Sequence, residues 1–211
     1  MKRFILTTIV AFVLSGCKSD EEILATGTSQ TSYLVTGYIL IDEVSYDNTT
    51  IKFSGDRIRD HKTSDMEKFK YFSEFYNDTS YTGHTYPGSN DAIAYPFDKI
   101  TMSCDSEFDA KHPAGTPLDD IVKVKFESYW NYIQNGYQYP DWCKKGLQLG
   151  RCSFEYLLSE INKDNSKLIC WPDSPTITFT SSPTTPGEYT FTLELTTNGE
   201  TFTTTFTHKF E

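Results

Sequence analysis

The chain has 211 residues, 37% hydrophobic and 15% aromatic, with a formal charge of −10. That length supports one domain or a pair of small ones with a real core, and large aromatic side chains let a modest apolar fraction bury a large area. The acidity disfavours nucleic acid, whose phosphates need a basic face, and an anionic membrane surface beyond a lipid anchor; its simplest meaning is solubility outside the cell.

Lys2 and Arg3 precede an apolar run from Phe4 to Leu14, which ends in Leu14-Ser15-Gly16-Cys17. The run is roughly half of what a membrane span requires. Its order of charge, short apolar core and small residues is that of a secretory signal. A cysteine at the cut site makes residues 1–16 a bacterial lipoprotein signal peptide, with Cys17 lipid-attached as the first mature residue. Residues 17–32 open with Lys18-Ser19-Asp20-Glu21-Glu22 and continue in Thr and Ser, a polar tether poor in core residues.

Residues 33–211 read as a single β-rich domain. Tyr33 to Ile41 is an apolar, β-branched run, and Ile51 to Phe53 follows the turn signal Asp47-Asn48. Met66, Phe69, Phe72 and Tyr76 fall at helical spacing within Asp65 to Tyr76, with Ser64 as a cap. A loop rich in Gly, Pro, Asn and Tyr spans 77–90, and Ile93 to Ser103 reads as a strand entered or broken by Pro96. Residues 121–133 fit either period. Val122, Val124 and Phe126 alternate with charges, which favours a strand for the first half, whereas Ile121, Val122, Phe126, Tyr129, Trp130 and Ile133 also make a helical stripe. Phe154, Leu157, Leu158 and Ile161 predict a short amphipathic helix over Ser153 to Ile161. At the C-terminus Tyr189, Phe191, Leu193 and Leu195 alternate with polar residues. Asn198-Gly199 then separates them from a returning run with Phe202, Phe206 and Phe210, the pattern of a β-hairpin. The expected fold is mainly β, an antiparallel β-sandwich of immunoglobulin-like type with one or two short helices.

Besides Cys17 there are Cys104, Cys143, Cys152 and Cys170. An even number in an exported chain predicts two disulfides. Cys143 with Cys152 closes a short loop containing Gly146 and Gly150, which leaves Cys104 with Cys170. The alternatives, free thiols or a metal site, lack a C-x2-C pair and a nearby histidine.

The run Phe108-Asp109-Ala110-Lys111-His112-Pro113-Ala114-Gly115-Thr116-Pro117-Leu118-Asp119-Asp120, with the Thr-rich hairpin that follows, resembles surface-lipoprotein domains of Bacteroidetes-type bacteria over about Ile93 to the C-terminus. The acidic run after Cys17 is similar to the export signal of such lipoproteins. The resemblance implies a lipid-anchored β-rich domain of the outer membrane, exposed at the cell surface. It carries over no activity and no catalytic residue.

No histidine pair has metal-binding spacing, and Asp105, Glu107 and Asp109 lack the glycine and closing Glu of a calcium loop. No metal and no cofactor is expected. His112 is read as shaping its loop and His208 as structural. No nucleophile elbow or phosphate loop occurs. Asp119-Asp120 or Asp105 with Glu107 is the most a glycoside hydrolase reading can draw on, and an enzyme ranks third. Loop aromatics carry more. Trp130, Tyr132, Tyr137, Tyr139 and Trp142 crowd a segment broken by Asn135-Gly136 and Pro140-Asp141, and Tyr76, Tyr81 and Tyr86 form a second group. Aromatic planes suit the C–H faces of sugars, with Asn and Asp for the hydroxyls. The leading expectation is therefore a non-enzymatic binding or adhesion module anchored to the outer membrane, with a glycan as ligand. The alternative is an accessory subunit that buries these rings against a protein partner of an outer-membrane complex.

Overall fold

The computed structural model describes residues 29–30, 32–85, 90–172 and 174–211. Residues 1–16, expected to be a signal peptide, Cys17, the acidic run and Tyr86 lie outside the described residues. Ser29–Gln30 (β1) pairs with His84–Thr85 (β4) in a two-residue ladder. The larger sheet takes in Gly37–Asp47 (β2), Thr50–Arg59 (β3), Asp91–Ile93 (β5), Val122–Ser128 (β7), Cys152–Leu157 (β8) and Thr176–Phe179 (β9). Its order is β5-β2-β3-β9-β7-β8. The smaller sheet runs β11-β10-β6, from Glu200–Phe210 (β11), Gly187–Thr197 (β10) and Phe97–Cys104 (β6). The molecule is a β-sandwich, as expected. Its ladders are antiparallel except for β2 with β5, which is parallel.

Both hairpins follow from their turn residues. Asn48 (φ 57°) sits in the β2–β3 turn, and Asn198 (φ 50°) and Gly199 (φ 78°) close β10–β11, residues that tolerate the left-handed region. Alternation then sorts the faces. In β10 Tyr189, Phe191, Leu193 and Leu195 are buried, while the outer face carries threonine pairs such as Thr190 with Thr207 and Thr192 with Thr205. Between the sheets these side chains meet Val122, Val124 and Phe126 of β7 and Ile51 and Phe53 of β3. Trp171 is 1% exposed, stacks on Phe126 at 4.1 Å, and donates its indole N–H to the Lys167 carbonyl at 2.8 Å. His208 lies on the partly buried face of β11 against Phe179 and Phe210.

A second core covers the opposite face at one end of the large sheet. It forms under Met66–Phe75 (α1) and Trp130–Gln134 (α2). In α1, Phe69 and Phe72 reach Tyr38 with ring centroids 5.5 and 5.3 Å away, which is the helical stripe read from the sequence. Ser64 makes no cap: its hydroxyl donates to the Asp65 carboxylate, and the helix N-cap has no side-chain hydrogen bond. The other end of α1 is tightly specified. Asn77 is left-handed (φ 58°), its N–H donates to Glu74 O, and the Asp78 N–H donates to Ser73 O, which makes a Schellman motif.

Two expectations need correction, and the break expected at Pro96 is present. Residues 152–157 form strand β8 and only Leu158–Ile161 (α3) is helical. Phe154 and Tyr156 lie opposite Phe126 and Val124, and this pairing with β7 overrides the helical spacing. The run from Ile93 is two strands, β5 and β6, separated at Pro96. Cys143–Cys152 is a disulfide (Cα–Cα 5.6 Å), but Cys104 and Cys170 are free, buried thiols in different cores, the first between the sheets and the second under the helices. Residues 121–133 resolve as strand β7 followed by the short helix α2, so each period holds for its own half.

Candidate functional site

Asp78 organises the aromatic segment. Placed by the Schellman turn, its carboxylate accepts the Leu34 N–H (3.0 Å to each oxygen), the Val35 N–H (2.8 Å) and the Tyr137 hydroxyl (3.0 Å). The Tyr137 hydroxyl in turn accepts the Ser80 N–H at 3.1 Å. Gly136 (φ 65°) and Tyr137 (φ 61°) make the reversal after α2 that swings this ring inward. Tyr137 then packs on Tyr81 at 5.3 Å, and Tyr139 on Tyr132 at 4.8 Å.

The five rings singled out in the sequence therefore do not form one surface. Tyr132 is buried, and Trp130, Tyr137 and Tyr139 are partly buried against the core under the helices. Tyr76 and Tyr81 are buried there as well. Trp142 alone stands out, 63% exposed. The chain leaves the core after Tyr139, whose hydroxyl accepts the Gly150 N–H at 2.9 Å, and the disulfide then fastens Cys143 to the first residue of β8.

This attachment sets Trp142 over the outer end of β8. Its ring lies 6.1 Å from Phe154, which stacks on Tyr156 at 6.1 Å. Together they wall a cleft of about 270 Å³ that also presents Asn131, Ser128, Asp164, Ser166 and Lys167. Ser128 comes from β7, Asn131 from α2, and the other polar groups from the 3-10 turn Asn165–Leu168 and its N-cap Asp164. Lys167 Nζ pairs with the Asp164 carboxylate at 2.8 Å and lies 4.8 Å over the Tyr156 ring. Asp164 also accepts the Ser166 N–H at 3.1 Å. Lys167 first, then Ser166, hold its carboxyl down at about 2, so it is ionised at every physiological pH. The arrangement is an exposed aromatic platform facing fixed donors and acceptors, able to bind a ring with one apolar face and a hydroxylated rim.

Sequence reasoning found Trp142 and missed its neighbours. Phe154 and Tyr156 were assigned to a helix. Asn131 lies in α2, and Asp164 and Lys167 belong to the N-cap and 3-10 turn beyond β8, so the sequence does not bring them together.

The other polar groups considered are tied into structure. Asp119 accepts the Met102 N–H at 3.3 Å. Asp120 accepts from His112 Nε2 at 2.9 Å, and Asp109 lies 2.8 Å from His112 Nδ1. Burial lowers the His112 imidazole, but hydrogen bonds to Asp120 and Asp109 outweigh it and raise the net value above 6.5. No group of three or more metal-ligating side chains occurs among the described residues. Comparison with known proteins finds no matching family model, curated protein or solved structure.

Proposed function

We propose that the protein is a lipid-anchored binding protein of the bacterial cell surface, without catalytic activity, that holds a glycan in the Trp142 cleft. The observation that carries this reading is one large ring, 63% exposed, fixed by a disulfide beside Asn131, Asp164, Ser166 and Lys167. An apolar ring of this size is normally drawn into the interior, and here the covalent bridge and a hydrogen bond from Gly150 to Tyr139 keep its segment outside. Of the acid–base candidates, Asp119 holds the Met102 N–H, Asp120 holds His112 and Asp105 accepts the Ser106 hydroxyl, which supports binding over hydrolysis. The anchor rests on the signal sequence and Cys17.

A second reading, the accessory subunit, draws on α1. Its outer side leaves Met66, Tyr71 and Phe75 exposed, with Tyr71 and Phe75 stacked at 6.4 Å. Exposed apolar groups in contact with one another mark protein contacts more often than sugar sites.

The chain from residue 17 onward contains every described residue. With Cys17→Ala to prevent acylation, it is applied to a glycan array and any hit is measured by calorimetry. Trp142→Ala lowers affinity several-fold and leaves the melting temperature nearly unchanged, because a single ring–sugar contact is worth on the order of 1 kcal/mol. Equal binding by the variant removes the cleft from the reading, and absence of any glycan hit, with loss of a co-purifying protein partner through Tyr71→Ala, supports the α1 face instead.

A further inference from the structure

We infer that the disulfide-closed loop from Cys143 to Cys152 is a docking tip for a lipid bilayer surface carrying anionic headgroups. Leu147 is 96% exposed and Leu149 is 50% exposed. A floppy loop would fold such residues back onto the protein, yet this backbone is fastened at every turn. The Leu147 N–H donates to Glu127 Oε1 at 2.7 Å, and the Gly146 N–H donates to the Arg151 carbonyl at 2.7 Å. The Ser153 N–H donates to the Lys144 carbonyl at 2.8 Å. Glu127 is held in turn by Arg151, whose Nε donates to the Tyr129 hydroxyl at 2.8 Å. Two exposed leucines on a rigid support form a preorganised apolar probe.

The occupant follows from shape and charge. A stable protein interface covers roughly 800 Å² on each side, far more than two leucines and a tryptophan at the loop's base supply. A bilayer makes no such demand: an apolar tip need only enter about 5–10 Å at the headgroup boundary, a level at which tryptophan is favoured. Lys144 and Lys145 are exposed beside the leucines, with Asp141 the one acidic residue from Asp141 to Cys152. Lys145 Nζ lies 4.9 Å over the Tyr139 ring. The charge of −10 disfavours an anionic surface for the chain as a whole, and this loop, with lysine beside leucine, is the local exception that complements one. The leucines and both lysines lie outside the sugar cleft: Leu147 lines a separate hollow with Lys125, Arg151 and Pro172. The leucines and lysines are thus independent of the glycan reading, while Trp142 is shared by both.

The test is co-sedimentation of the chain from residue 17, carrying Cys17→Ala, with vesicles of phosphatidylcholine alone or with one quarter phosphatidylglycerol. The protein is expected to sediment with the anionic vesicles, and brominated lipid is expected to quench Trp142. Leu147→Ser with Leu149→Ser abolishes sedimentation. Lys144→Ala with Lys145→Ala weakens it on anionic vesicles by about tenfold, and salt mimics this loss. All four substitutions are at exposed positions, so unchanged melting temperatures accompany them. Failure of the parent protein to sediment, or equal sedimentation by the leucine variant, overturns the inference, whatever the glycan array shows.

Discussion

Replacing Asp78 with asparagine tests whether a buried carboxylate organises this end of the sandwich. Burial pushes the Asp78 carboxyl up from 3.8 to about 6, against the opposing pull of the Leu34 and Val35 N–H groups and the Tyr137 hydroxyl. A displacement of about two units corresponds to roughly 3 kcal/mol. The folded value lies above the unfolded one, so the folded protein holds this proton more tightly. The associated stability is present below about pH 4 and is lost as pH rises through about 6. Asparagine keeps the shape and one carbonyl oxygen for Leu34 and Val35, and its amide can donate to the Tyr137 hydroxyl, but it does not titrate. Urea unfolding of parent and Asp78→Asn at a series of pH values isolates the group, because every other titration cancels in the difference. The parent is expected to lose about 2–3 kcal/mol relative to the variant between pH 4 and pH 7. Parallel stability curves for the two proteins would refute the argument that Asp78 is ionised at a cost in the folded state.

Three further outcomes are expected. His112 is raised above 6.5 by Asp120 and Asp109 after burial has lowered it, so its contribution is full at acid pH and lost as pH rises through the folded value; Asp109→Asn brings the imidazole titration seen by NMR back down. Breaking the Cys143–Cys152 bridge, whose partners are nine residues apart, costs about 2–3 kcal/mol in the chain-entropy account, while Cys104 and Cys170 react with an alkylating agent only after denaturant is added. Gly37→Ala drives a methyl group into the Asp91 carboxylate and the Arg59 guanidinium, which are themselves ion-paired, with Arg57 on the same carboxylate at 2.6 Å; a stability loss of about 1–3 kcal/mol in thermal melts is the expected result.

How much of this was legible in the sequence depended on how local the cause was. The β10–β11 hairpin was readable because Asn198-Gly199 fixes the turn and strict alternation fixes the faces within a single segment. Helix α1 was readable from Phe69, Phe72 and Tyr76 for the same reason. Strand β8 was not, since Phe154, Leu157, Leu158 and Ile161 satisfy a helical period, and only the partner strand β7 decides the conformation. The cysteine pairing failed on a similar point. Even numbers suggest bridges, but whether Cys104 and Cys170 approach each other is set by which face of the large sheet each one occupies. Aromatic residues between turn signals read as a surface, and four of five proved inward-facing: Trp130 and Tyr132 lie on helix α2 against the core, and a carboxylate 59 residues earlier in the chain holds Tyr137.

That carboxylate links the chain's entry to its candidate site. Leu34 and Val35 are the first buried residues among the described residues, and Tyr137 begins the segment that ends at Trp142. Both hang on Asp78, one through backbone N–H groups and the other through a hydroxyl. The segment is held again at Tyr139 by Gly150 and at Cys143 by Cys152. Three independent attachments over a few residues leave little conformational freedom to be lost when a ligand meets the ring, and low ordering cost is what allows a small, shallow cleft to bind at all. The same economy applies to the neighbouring loop, where Glu127 fixes the backbone under Leu147. Met66, Tyr71 and Phe75 are exposed on α1, but Trp142, Leu147 and Leu149 stand on a cross-linked, hydrogen-bonded loop, and a loop fastened in this way at the outer ends of β7 and β8 is arranged to present them.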